Sequence, residues 1–137
     1  MPILVDTNAL IAYLYDKDVN HKAAVAQMES LSQEQLVIPA PVLVELFYLL
    51  AIRISYKRAV EADRLLRQGF SVIPIDTDVM KRMSVIMTQY VSAEFDYTDA
   101  AIMALAERLN IRRIFTFDRR DFSIFRPTHV DFRELIP

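Results

Sequence analysis

Short unbroken apolar runs alternate along this chain with stretches in which apolar residues return every three to four positions. The runs predict strands near residues 2–6, 35–38, 70–75 and 113–117, with a weaker one near 128–132. The periodic stretches predict helices between them. One is capped by Asn8 and runs through Tyr15, a second spans Ala23 to Leu31, and a third carries Pro41 in its first turn and continues to about Ile54. Ser55 caps the next, with Gly69 beyond its end where a left-handed residue is wanted; Asp78 to Val91 forms another, and Asp96 caps a helix through Leu109. Strands alternating with helices imply right-handed crossovers. The expected fold is therefore α/β, a three-layer α/β/α arrangement around a mostly parallel sheet of four to five strands. With no linker, repeat or low-complexity stretch, residues 1–137 are expected to form a single domain.

Four acids break this pattern. Asp6 ends the first strand in Val5-Asp6-Thr7-Asn8, Glu45 is the sole charge between Pro41 and Ile52, Asp99 opens an alanine-rich helix, and Asp118 follows the run Ile114-Phe115-Thr116-Phe117. A carboxylate in such a place is costly to desolvate unless something compensates it, and no lysine or arginine shares the local pattern of Asp6 or Glu45. Convergence on a divalent cation would compensate all four together. In parallel sheets ligands bind beyond the carboxyl ends of the strands, where Asp6 and Asp118 stand. The plainer alternatives are local: Asp6 bonding the following turn, Asp96 serving as a helix cap, Asp118 serving a turn, and Asp121 acting as a cap or surface acid.

Composition narrows the chemistry. The chain is 53% hydrophobic and 25% charged with one glycine and no cysteine, which excludes glycine-loop nucleotide binding, disulfide scaffolds, thiolate zinc sites and cysteine nucleophiles. No basic leader precedes the first strand and no apolar stretch approaches about 18 residues, so a cytoplasmic location is expected. A net charge of -2 argues against bulk attraction to nucleic acid. A local basic rim is still available in Arg112, Arg113, Arg119, Arg120 and Arg126, which crowd the segment around Asp118. His21 and His129 read as structural or solvent-facing, and Met80, Met83 and Met87 as packing. Tyr13, Tyr15, Phe47 and Tyr48 suit either the core or an apolar groove for a partner segment or second subunit. Two other magnesium-using classes fail on single residues. A receiver-type phosphoacceptor needs a lysine closing a late strand, and a haloacid-dehalogenase-type phosphatase needs an aspartate where this chain has Asn8.

Taken together, Val5-Asp6-Thr7-Asn8, Glu45 on an apolar helix, Asp99-Ala100-Ala101-Ile102 and Thr116-Phe117-Asp118 followed by Arg119-Arg120-Asp121-Phe122 resemble the PIN domain, and within it the VapC-like toxin ribonucleases of toxin-antitoxin pairs. The likeness spans essentially the whole chain. It implies an endoribonuclease dependent on Mg2+ or Mn2+ that leaves a 5'-phosphate and a 3'-hydroxyl. Asp6 and Asp99 would be the principal metal ligands, with Glu45 and Asp118 completing a second metal position or orienting the attacking water. Thr7, Asn8, Asp96 and Thr116 would support them. The resemblance further implies a homodimer restrained by a small antitoxin that lies in an apolar groove and points a basic side chain at the acids. A solitary PIN nuclease in RNA processing and a catalytically degenerate PIN binding module are the alternatives.

Overall fold

In the computed structural model, which describes residues 1–129 and 134–137, five parallel strands form one sheet in the order β3-β2-β1-β4-β5. The strands are β1 (Pro2–Val5), β2 (Gln35–Pro39), β3 (Ser71–Ile73), β4 (Arg113–Phe115) and β5 (Glu134–Ile136). Seven α-helices occur among the described residues: α1 (Thr7–Leu14), α2 (His21–Ser30), α3 (Ala40–Arg53), α4 (Tyr56–Gly69), α5 (Thr77–Gln89), α6 (Tyr97–Leu109) and α7 (Arg120–Ile124). No helix among these residues is long and apolar enough to cross a membrane.

The strand order places the site. The chain builds outward from β1 through β2 to β3, then returns to the other side of β1 with β4 and β5. The reversal leaves a crevice at the carboxyl ends of β1 and β4, the usual ligand position in an open parallel sheet. Val5 is in register with Phe115, and the Asp6 N–H continues the ladder to the Phe115 carbonyl at 3.0 Å. Asp6 and Thr116 therefore leave the sheet side by side although 110 residues separate them.

Ile3, Leu4 and Val5 are fully buried, as a central parallel strand covered on both faces requires. The helix running beside the crevice, α6, is buried at every position from Thr98 to Ala106. Its small side chains let the backbone lie close to its neighbours. Asn110 ends it in the left-handed conformation (φ 54°), donating its N–H to the carbonyls of Ala106 and Glu107.

Several local expectations change in the structure. Asp6 rather than Asn8 occupies the N-cap of α1, because β1 runs into the helix without an intervening loop. Gly69 is the last residue of α4 and has no positive φ; the chain leaves the helix through an extended Phe70 instead. Ser55 does cap α4, accepting the Arg58 N–H at 3.2 Å. Thr128 and His129 lie outside any strand, residues 130–132 of the expected weak strand fall outside the described residues, and β5 begins at Glu134. The short helix α7, five residues long, had no sequence periodicity to announce it.

Candidate functional site

Asp6 sits at the bottom of the crevice, 3% exposed, held by three donors. Its Oδ1 accepts the Thr7 N–H at 2.7 Å, and its Oδ2 accepts the Thr116 hydroxyl at 2.9 Å and the Asn8 amide at 3.1 Å. Asn8 also stitches the two strand ends together, since its Oδ1 accepts the Phe117 N–H at 2.8 Å. Thr116 Oγ1 accepts the Asp118 N–H at 3.0 Å, and Asp118 Oδ1 accepts the Arg120 N–H at 3.2 Å. Asn8 and Thr116 thus fix the carboxylate geometry. Thr7 contributes through its backbone and lines the crevice, while its buried hydroxyl has no partner among the described residues.

The other acids arrive from separate elements. Asp96 caps α6, accepting the Thr98 N–H at 3.4 Å; Asp99 lies in the first turn of α6 at 7% exposure; and Glu45 projects half-buried from α3. Together with Asp6, Asp18 and Asp118 they line a cavity of about 240 Å³ whose wall also includes Asn8, Asn20, Ile11, Leu49 and Arg53. Six carboxylates face one guanidinium there.

Asp121 corrects the sequence reading. Expected as a cap or surface acid, it is buried, and one carboxylate oxygen from each of Asp99, Asp118 and Asp121 falls within a mutual 4.8 Å. Arg120 holds it by an ion pair. The signal was present in Asp121-Phe122 and Phe125, a buried face of α7 whose helical period is too short to recognise from sequence.

The electrostatics follow from burial without a counter-charge. Burial pushes the Asp6 carboxyl up to about 6 despite the stabilising bonds from Thr116 and Thr7, and the charges of Glu45 and Asp118 add to the rise. Burial likewise pushes Asp99 up to about 9, with the Asp6 charge and a hydrogen bond to Asp121 acting in the same direction. Such a set repels itself and attracts a cation. The donors are all oxygens, which suits a hard divalent ion, and the orphaned Thr7 hydroxyl offers a hydrogen bond into the same space.

The five arginines expected to form a rim do not stand together: Arg119 and Arg120 adjoin Asp118, while the others lie apart from them. Arg112 and Arg113 stand at the amino end of β4, opposite the crevice, where Arg113 pairs with Glu34 and Glu134. Arg119 donates to the Pro137 carbonyl, Arg120 to the Ala93 carbonyl and Asp121, and Arg126 to the Ser123 carbonyl. None of the five lines the cavity. His21 is held to the Ala12 carbonyl at 2.7 Å and His129 to the Ile111 carbonyl at 2.9 Å. Met83 is core, Met87 packs against it, and Met80 is exposed.

Of the four early aromatics, Tyr13, Tyr15 and Phe47 pack against the core and Tyr48 is exposed, so they do not make one groove. An apolar groove of about 490 Å³ lies elsewhere, between Ala40, Pro41 and Val44 of α3, Pro74, Ile75 and Met80, and Tyr97. It ends at Glu45, a residue it shares with the acidic cavity.

Comparison with known proteins agrees with this geometry. Over 126 residues the chain is 33% identical to Ribonuclease VapC26 of Mycobacterium tuberculosis, covering 91% of this chain and 93% of that protein. Its fold is similar to that of M. tuberculosis VapC20, a sarcin-ricin loop cleaving toxin, with a TM-score of 0.81 at 23% identity over 93% of this chain and 98% of the other. A toxin-antitoxin complex from Klebsiella pneumoniae matches with a TM-score of 0.66 at 24% identity over 90% and 92% of the two chains. The PIN domain model matches residues 3–126, and the chain belongs to the PIN domain family.

Proposed function

We propose that this protein is a divalent-metal-dependent endoribonuclease and the toxin of a toxin-antitoxin pair. The observation that carries the reading is the convergence of Asp6, Glu45, Asp99 and Asp118 on one cavity at the strand-order reversal, with Asp6 and Asp99 buried and without a basic partner among the described residues. The 33% identity to a VapC ribonuclease supports RNA as the substrate, and the likeness to toxin-antitoxin complexes supports an antitoxin partner.

Asp6 and Asp99 would hold the metal, with Asp118 and Asp121 beside Asp99 and Glu45 lining the same cavity. When bound, Mg2+ or Mn2+ supplies positive charge against the phosphate and makes water acidic enough to act as a nucleophile. The chain's own residues do the rest. Thr116, Asn8 and the Thr7 N–H keep Asp6 from rotating, and Glu45 or Asp118 orients the attacking water and accepts its proton. In-line attack on phosphorus breaks the bond to O3', which leaves protonated as the 3'-hydroxyl and yields a 5'-phosphate. The groove beginning at Glu45 suits an antitoxin segment with an apolar body and a basic tip, which would compete with metal for the carboxylates. A homodimer is part of the same proposal.

Cleavage of single-stranded RNA by the purified protein tests the reading. Activity should require Mg2+ or Mn2+, vanish with chelator, and fall to the chelator background in Asp6→Asn and in Asp99→Asn with both variants still folded. Near wild-type cleavage in both variants would sink the assignment. Co-expression with a small reading frame directly upstream should yield a complex and relieve toxicity; a chain that is harmless alone and purifies without a partner would be a solitary nuclease.

A further inference from the structure

Glu45, Leu49 and Arg53 follow one another at intervals of four along α3, so they share a helix face, and all three line the acidic cavity. Arg53 is the single cationic residue in that wall among the described residues. It lies in the last turn of α3, about 12 Å along the helix axis from Glu45. Its side chain is exposed, and it makes no hydrogen bond or ion pair with any described residue, although Asp18 lines the same cavity. Arg64 on α4 is likewise unengaged among the described residues, so what sets Arg53 apart is its place in the cavity wall. Arg82, Arg108, Arg113 and Arg120 each pair with a carboxylate, and Arg119 and Arg126 with backbone carbonyls. An RNA strand entering a cavity of six carboxylates gains nothing from their charge, so an unengaged guanidinium on the same wall is the natural contact for its phosphates.

We propose that Arg53 is a substrate-binding residue. Resting on the nuclease reading, the assignment has the guanidinium grip a non-bridging pair of phosphate oxygens away from the scissile phosphate, so that the strand lies along the Glu45, Leu49 and Arg53 face. Because the grip is the same before and during cleavage, losing it should raise KM and leave kcat nearly unchanged. It also sets a minimum substrate length, since a dinucleotide with its phosphate at the carboxylates does not span the distance to Arg53.

The test uses the full chain with Asp99→Asn as the binding-only parent and a short single-stranded RNA of mixed sequence, followed by fluorescence anisotropy across a salt series. Adding Arg53→Ala should weaken binding roughly fivefold and flatten the slope of log affinity against log salt by about 0.7, one phosphate contact. Arg53→Lys should restore the slope, and Arg64→Ala, an exposed arginine on α4 away from the cavity, should change neither value. Affinity and slope unchanged in Arg53→Ala, with the parent still binding RNA, would overturn the role of Arg53 and leave the nuclease reading standing. A parent that binds no RNA, together with a wild-type chain that cleaves none, would overturn both.

Discussion

Two buried acids on one helix have opposite fates. Glu107 and Asp99 lie eight positions apart on α6, and both carboxylates are withdrawn from water, the Glu107 side chain to 8% exposure and Asp99 to 7%. Burial alone would raise both. At Glu107 it is outweighed by a two-pronged bond from Arg82, at 2.6 and 3.0 Å, and by the Thr128 N–H at 2.8 Å, so its carboxyl falls below the usual glutamate range. At Asp99 no guanidinium answers among the described residues; Asp6 and Asp121 press further negative charge on it, and its carboxyl rises to about 9. The protein knows how to neutralise a buried acid with an arginine and does so at one end of α6. At the other end the acids are compatible with a cation, and under the proposed function the compensation would come from one.

The contrast should break most visibly when each acid loses what distinguishes it. Arg82→Ala leaves Glu107 with Thr128 in place of a counter-charge and should destabilise the fold by about 2 kcal/mol, a figure kept low because Arg82 is itself partly exposed. Asp99→Asn replaces a carboxyl that must take up a proton to be buried with a neutral amide and should stabilise the metal-free protein by about 1 to 2 kcal/mol. Urea denaturation of the two variants in chelator tests the opposite signs, and a destabilised Asp99→Asn would show that its surroundings compensate the acid after all.

The pH dependence sharpens the same point with a smaller effect. Asp6 titrates near 6 when folded and about 3.9 when unfolded, so between those values the native state binds the extra proton. Its stabilising contribution is therefore complete below about pH 4 and lost as pH rises through about 6, and Asp99 extends the loss toward alkaline pH. The metal-free melting temperature should fall by several degrees between pH 5 and pH 8, and Asp99→Asn should flatten the slope. A melting temperature that rises over this range would refute the raised carboxyls.

The smallest effect is reversal by metal. At pH 7.5, Mg2+ or Mn2+ at a tenfold excess over its dissociation constant should add about 1.4 kcal/mol, seen as a thermal shift that chelator removes. Asp99→Asn should lose that shift, whereas Arg82→Ala should keep it. No shift at millimolar metal without RNA would mean that the acids need substrate to assemble a site.

The sequence by itself determined the local physics. Runs such as Ile3-Leu4-Val5 and the periodic spacing of α3 and α6 specify burial, hence the α/β class, and Asp6, Glu45, Asp99 and Asp118 stand out because each interrupts a buried pattern. Ser55 and Asp96 were readable as caps because capping is decided within one turn. Only the tertiary structure decided what crosses the chain. That β1 pairs with β4, bringing Thr116 to Asp6, depends on where crossover helices deliver each strand, and no local pattern encodes that partner. The same reason hid Asp121, which acquires its meaning from Asp99 on another helix, and Arg53, which differs from its neighbouring arginines only by what the fold leaves beside it. It also explains the early aromatics: the sequence left Tyr13, Tyr15 and Phe47 open between core and groove, the fold packs them half-buried against the core, and an apolar groove forms instead at Val44, Ile75 and Tyr97 because α3, the turn after β3 and the start of α6 meet only in the folded chain.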